Sequence, residues 1–565
     1  MNNGVSEIDD SNFFFADNGN ENAQAEILAT LDAFYSNEIK DDNSSICRFP
    51  ARYYWLSEEL NATDFPTAQC LEYDKVLERV DPSSVTLVFP SAHINSPASM
   101  FGHTFLRINS SYNSRLLSYA INYAADANLE DENGVTFAIK GLFGGYFGKY
   151  SFLPYYEKLK EYRDSEQRDI WEYDLNLSEE ETYRMFRHIW ELNGTHSYYY
   201  FFTENCSYNM LWLIETARPS VRIREHFSYQ VIPLETVHVA KSVNLIESIN
   251  YRPSKRTLLL KYEELIDDTY QEIPIALVNK EINTTEFLKN SSISDDQKRY
   301  ILEASIEYLE YIYSKGKVKK EIYLSLFHTF TTERATLGIT KSIDIKKPND
   351  PLLSHRAVRS TFGVGSREGK VISILGFRPT YHDLEDSSYG FLRGTQIEFL
   401  DLSLAYSDKK IMLEEATVLS IVSLAQRSTF FKSFSWRMNL GWNRNFTDEK
   451  ARFNLSVGAG YSWGDKNAYF YTLIDPLFYI SDGLITGIGG SVGLNFDRFD
   501  FMNTNLEVTE RLYDDGNRQL LVKVTQGFRT SQNSQIVLKY DYRDRYVTDL
   551  KSNEETYMLA FKYFF

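Results

Sequence analysis

Two kinds of hydrophobic periodicity divide this chain near residue 354: helical and strand-like spacings are mixed before it, and only strand-like alternation follows. From Ala23 to Ile39 the apolar positions Ile27, Leu28, Leu31 and Phe34 recur at helical spacing and predict a helix. "SSVTLVFPSAH" alternates like a strand, and "GHTFLRIN" and "RLLSYAINYA" predict a hairpin closed by the polar turn "NSSYNS". "SEEETYRMFRHIWELN" opens with Ser178 three residues ahead of Glu181, a capping-box signature, so a helix follows. The strand "SYYYFF" runs into "NCSYNMLWLIETA", where Met210, Leu211 and Ile214 have helical spacing. Residues 251–354 read as a helical connecting region, for example "DDQKRYILEASIEYLEYIYSKG". Residues 1–22, polar and acidic, predict a disordered amino terminus.

From about residue 355 to 565, segments of alternating polarity are separated by polar turns such as "SREGK", "TDEKA" and "DDGNR". We count twelve, beginning near Arg356, Val371, Thr395, Lys410, Phe431, Arg452, Ala468, Ile485, Phe501, Gln519, Gln535 and Thr556. An even number of strands at this spacing predicts a closed antiparallel transmembrane β-barrel. In the last segment Tyr557, Leu559, Phe561, Tyr563 and Phe565 share one face, with Thr556, Ala560 and Lys562 on the other. Strand eleven sets Ile536, Leu538, Tyr540 and Tyr542 against Lys539, Asp541 and Arg543. A soluble β-sandwich alternates too. The terminal aromatic, however, resembles the carboxy-terminal signature of bacterial outer-membrane barrels and implies that location.

Composition agrees with a membrane setting. Aromatics are 15% of the chain, with 40 Tyr and 38 Phe, as expected where rings sit at a membrane interface or line a lipid site. No run of eighteen apolar residues exists, so a membrane reading must use strands. A net charge of -18 without a basic cluster argues against a nucleic-acid partner. "MNNGVSEIDDSN" has neither the basic nor the apolar region of a secretory signal, so an exported protein is met here in its mature form.

The candidate chemistry lies in residues 23–250. Cys206 stands where a strand meets a helix, and a helix amino terminus favours the thiolate, the nucleophilic form of cysteine. His103, at the start of a hairpin strand, is the candidate base, and Asn205 opens the cysteine's helix. Backbone N–H groups of the first helical turn are expected to face a developing oxyanion. A third group must fix the imidazole tautomer; on the second hairpin strand we choose Asn122, with Ser118 and Tyr119 as fallbacks. "KGLFGGYFGKYSFLPYY" reads as a glycine-rich apolar loop offering Leu142, Phe143, Tyr146 and Phe147 to an acyl chain, the alternative being a packed interdomain loop. Cys47 and Cys70 are a disulfide candidate, with three reduced cysteines as the alternative. His188 and His196 are the histidines open to a zinc site, but no Cys or His stands at ligand spacing beside them, and we assign no metal or cofactor.

The order of a histidine on a hairpin followed by "NC" opening a helix resembles circularly permuted papain-like enzymes of the NlpC type. "FPSAHINSPASMFGHTFLRIN", "LLSYAINYAA" and "TENCSYNML" resemble more closely the amino-terminal periplasmic domain of the Lnb family, named for a lipoprotein N-acyltransferase. The resemblance spans roughly residues 45–240 and carries the catalytic roles to His103 and Cys206. It implies an α+β, permuted papain-like periplasmic domain ahead of the twelve-stranded barrel. The expected function is thiol-dependent acyl transfer or hydrolysis on outer-membrane lipid, phospholipid or lipoproteins. NlpC-like peptidoglycan amidase activity and a non-catalytic export or assembly role are the alternatives.

Overall fold

The computed structural model describes residues 4–36, 40–61, 64–92, 102–112, 117–126, 140–141, 144–339, 343–447, 450–465, 467–480, 483–547 and 550–565. The chain forms two compact units that divide at Ser254, four residues beyond the boundary the sequence suggests, because a last sheet strand continues to Arg252.

The first unit is α+β. Its antiparallel sheet has seven strands: β1 (Pro82–Pro90), β2 (Phe105–Ser110), β3 (Tyr119–Ala125), β4 (Tyr146–Pro154), β5 (Ile170–Leu175), β6 (His196–Tyr199) and β7 (Ile246–Arg252). Their order across the sheet is β6-β4-β3-β2-β1-β5-β7. β2 and β3 are the predicted hairpin, paired from Leu106 with Ile121 to Ile108 with Tyr119. Val88, Phe105 and Ala120, side by side on the three central strands, form one buried face with Tyr155, Tyr162 and Ile170. The helix Glu179–Glu191 starts at Ser178 with the complete capping box. Beneath the sheet's regularity lies a buried charge: Arg107 bonds Glu172 at 2.7 Å, and Tyr155 and Arg252 each donate to the same carboxylate at 2.6 Å. Those three donors outweigh the burial that would otherwise push Glu172 up, and hold it below the usual glutamate range.

Two expectations are corrected here. Residues 4–22 are ordered: Asp10 N–H bonds the His196 carbonyl at 3.2 Å, Tyr198 N–H bonds Asp9 at 2.7 Å, and Tyr208 Oη bonds Glu7 at 2.6 Å. Acidity here marks docking onto donors of the sheet edge and the Cys206 helix, which composition cannot distinguish from disorder. The stretch read as a glycine-rich loop becomes β4 from Tyr146 onward. Gly148 belongs to that strand because a Cβ there would stand 2.2 Å from the Tyr123 hydroxyl.

The second unit joins a helical bundle, 255–336, to the barrel. The bundle's core, built on Leu259, Ile301 and Phe330, also buries Phe430 and Phe431. The fifth barrel strand therefore starts at Ser435 and not at Phe431 as the alternation suggests. The barrel strands are β8 (Arg359–Arg367), β9 (Lys370–Arg378), β11 (Thr395–Ser407), β12 (Lys410–Ser423), β13 (Ser435–Asn443), β14 (Arg452–Gly464), β15 (Ala468–Ile480), β16 (Leu484–Phe499), β17 (Met502–Tyr513), β18 (Arg518–Ser531), β19 (Ser534–Val547) and β20 (Leu550–Phe564). A further short strand, β10 (Thr380–His382), pairs only with β11. β20 pairs with β8, from Thr556 with Arg367 to Phe564 with Arg359, and so closes a twelve-stranded antiparallel barrel. Tyr557, Leu559, Phe561, Tyr563 and Phe565 face outward, while Thr556, Ala560 and Lys562 are buried inward. The barrel thus presents an apolar outer wall around a polar interior, as a membrane-spanning barrel must.

Candidate functional site

The site is assembled where β2 and β3 meet the helix Cys206–Ala217. Gly102 sets its geometry: with φ at +83° and the Phe89 ring 2.6 Å from where a Cβ would sit, the chain turns in against β1 before His103. Thr104, next along, hydrogen-bonds through its hydroxyl to Ser207 Oγ at 2.7 Å, both side chains being fully buried. That contact fixes the hairpin to the first turn of the helix and sets His103 close enough to Cys206 for each side chain to shift the other's ionisation.

Asn122, the chosen third member, has Oδ1 2.7 Å from His103 Nε2. A carbonyl oxygen only accepts, so Nε2 carries the proton and Nδ1 is left with its lone pair for the cysteine. The fallbacks lie elsewhere. Ser118 offers its backbone carbonyl to Tyr155 N–H at 2.8 Å, and Tyr119 stacks on Phe152 with centroids 4.9 Å apart.

Cys206 is buried and free, whereas Cys47 and Cys70 form a disulfide with Cα atoms 5.2 Å apart. Burial pushes the Cys206 thiol up, but His103, by charge and by hydrogen bond, together with Ser207 and the Thr104 backbone N–H, brings it down to about 7. For His103, burial pulls the imidazole down, and the Cys206 charge and the bonds to Cys206 and Asn122 carry it above its ordinary value. Both shifts favour a thiolate–imidazolium pair.

Asn205 has a specific structural task. Its Oδ1 accepts from Ser207 N–H at 3.0 Å and Tyr208 N–H at 3.2 Å, and its Nδ2 donates to the Phe201 and Val231 carbonyls. This corrects the expected oxyanion site, because two first-turn N–H groups are already taken by the cap. The phenol of Tyr199, a residue the sequence reading missed, lies within electrostatic reach of Cys206. Burial first, then the Cys206 charge, holds that phenol well above its usual value, so it stays protonated. Tyr162 was also missed: its ring lies against His103 with centroids 5.6 Å apart, and the Arg168 guanidinium covers it at 5.1 Å. It sits in a π-turn, Lys160–Ser165, a distortion that sequence periodicity does not register.

Of the acyl-contact candidates, Tyr146 is buried, Phe147 is 43% exposed on β4, and Leu142 and Phe143 lie outside the described residues. Phe147 packs on His196 and Tyr198, away from the cysteine's own contacts. His188 and His196 pair with Glu191 and Asp10 at 3.3 and 3.1 Å, so each already has a carboxylate partner. Among the described residues one other trio, His355, His382 and Asp386 in the barrel unit, brings its ligand atoms within 4.8 Å of one another.

A family model described as the Lnb N-terminal periplasmic domain matches residues 72–243, which contain the whole site. Three models described as domains of unknown function match residues 1–59, 249–344 and 348–564, so the amino-terminal segment, the helical bundle and the barrel each recur as units. No curated protein matches the chain. Among solved structures, the KdgM porin is 9% identical with a TM-score of 0.24, covering 37% of this chain and 99% of its own. The NanC porin is 9% identical, TM-score 0.26, over 37% of this chain and 100% of its own. An outer membrane channel from Pseudomonas putida F1 is 10% identical, TM-score 0.27, over 38% and 96%. With its apolar-walled barrel and its match to a periplasmic domain, the chain is an outer-membrane protein whose first unit lies in the periplasm.

Proposed function

We propose that this protein is a membrane-tethered thiol acyltransferase or hydrolase of the permuted papain-like kind, acting on membrane lipid or lipid-modified protein. The observation that carries the reading is the line Asn122–His103–Cys206, with the imidazole tautomer fixed at Nε2 and the thiol drawn down to about 7. The Cys206 thiolate attacks an ester or amide carbonyl carbon, forming a C–S bond and a tetrahedral oxyanion. The Tyr199 phenol, kept protonated beside Cys206, is the candidate donor to that oxygen. Collapse breaks the bond to the leaving alcohol or amine, which takes the proton held on His103 Nδ1. In the second half His103 accepts a proton from water, an alcohol or an amine as it attacks the thioester; the C–S bond breaks and the thiolate returns. The barrel supports a lipid donor, since it tethers the periplasmic unit to a membrane and raises the effective concentration of leaflet lipids.

The test is intact-peptide mass spectrometry of the purified full chain after incubation with outer-membrane phospholipid or muropeptides. A hydroxylamine-labile acyl mass on the Cys206 peptide, absent from Cys206→Ala, is the expected result. A muropeptide mass there would replace lipid by peptidoglycan as substrate. A thiol without adduct that is also inert to alkylation would sink the enzymatic reading and leave the export or assembly role.

A further inference from the structure

The connection between β9 and β11 does not stay outside the barrel. Residues 379–394 fold inward, and their polar groups are met by inward-facing side chains around the wall. Asp386 bonds Arg378 at 2.6 Å, Lys562 at 2.8 Å and Arg359 at 3.2 Å; Asp383 pairs with Arg359 and, at 3.0 Å, with Arg378. On the neighbouring strands Glu385 pairs with Lys539 of β19, while the amides of Asn503 and Gln535 donate to its carbonyl at 3.2 and 3.1 Å. Asn505 donates to the Leu384 carbonyl at 2.9 Å, and Ser388 bonds Asp497. Leu384 packs on the buried cluster of Val422, Leu424, Tyr469 and Leu473. The segment is therefore held by β8, β9, β12, β15, β16, β17, β19 and β20, from one side of the lumen to the other.

The His355–His382–Asp386 trio belongs to the same fastening and not to a metal site. His355 Nε2 meets His382 Nδ1 at 3.1 Å, the His382 ring stacks on Phe391 while the His355 ring lies tilted against it, and the one carboxylate is already shared by three cations. The lumen holds a charged cavity of about 380 Å³ whose lining includes Asp383 and Glu385. Both ends of the barrel's chain, and the two longest connections, 379–394 and 424–434, emerge at one end; the connections at the other are short, "REGK" and "SDKK" among them. Because the first unit is periplasmic, the inward segment is rooted at the periplasmic end.

We propose that residues 379–394 seal the lumen and that the barrel is a non-conducting anchor, unlike an open porin. Each buried ion pair along the segment resists opening, since withdrawing one partner leaves the other charged and unpaired in the lumen. The test is conductance of the full chain in planar lipid bilayers, with folding judged by heat-modifiable gel mobility. The wild-type protein is expected to insert without ion-conducting steps, and the variant Asp383→Asn/Glu385→Gln/Asp386→Asn to show flickering steps. Replacement of 383–391 by a short Gly-Ser linker is expected to give steady ones. Stable steps from the wild type would overturn the seal. So would silence from both variants once their barrels are shown to be folded.

Discussion

At the residue scale the sharpest consequences concern protons. A thiol at about 7 makes Cys206 a thiolate above that pH, so its alkylation by iodoacetamide should fall as pH drops through 7 and level off above it. In His103→Ala burial acts without its largest opponent, and the thiol should move above its ordinary value of about 8.5. Alkylation at pH 7 should then slow by at least about tenfold, the greater nucleophilicity of a more basic thiolate offsetting part of the lost ionisation. The reciprocal experiment is equally specific. In Cys206→Ala the groups that raise His103 are reduced to Asn122, burial dominates, and the imidazole resonance followed by NMR should titrate below its normal value. A His103 unmoved by loss of the thiol would show that the two do not interact. Asn122→Ala should slow alkylation less than His103→Ala, since it only orients the ring. Glu204 requires a control: burial, then Glu7 and Asp9, push it up to about 7, so Glu204→Gln is needed to keep its titration out of the activity profile.

At the scale of elements, Gly102 joins chemistry to fold. Gly102→Ala would force a side chain into the left-handed region and against Phe89, at a cost of about 1–3 kcal/mol. We expect a lower thermal midpoint for the first unit and a fall in Cys206 alkylation at pH 7, because the histidine is carried with the glycine; a stability loss without that fall would separate the two roles. The elements also explain what the sequence disclosed. Asn122 was legible from the alternation of its strand and Cys206 from the helix start it occupies, whereas His103, two residues ahead of β2, was legible through the motif resemblance. Tyr199 and Tyr162 were not, since one is the last residue of a four-residue strand and the other sits in a π-turn, and neither leaves a periodic trace. β4 was hidden by its glycines, which look like loop residues until Tyr123 is seen to occupy the space. Residues 4–22 were hidden because acidic side chains with remote donors have the composition of a disordered tail.

At the scale of the whole molecule, the two faces of each barrel strand obey opposite rules, and this gives the last prediction. On β20, Tyr557 and Tyr563 bracket Leu559 and Phe561, so the hydroxyl-bearing rings stand where membrane meets water and the purely apolar side chains stand between them. Leu559, 56% exposed on that wall, therefore faces the hydrocarbon core. Leu559→Arg should cost about 2–4 kcal/mol there, enough to shift much of the protein from the folded, heat-modifiable band to the unfolded one. Leu559→Phe should leave the band pattern unchanged. Asn439→Ser, a polar exchange on the lumen cavity's wall, should also be tolerated, because the interior already holds polar groups and water can replace one amide. Equal folding of Leu559→Arg and wild type in lipid would mean that this wall does not face lipid. The same wall accounts for the outer-membrane anchor, so the periplasmic unit would then have lost its physical reason to act on a membrane substrate.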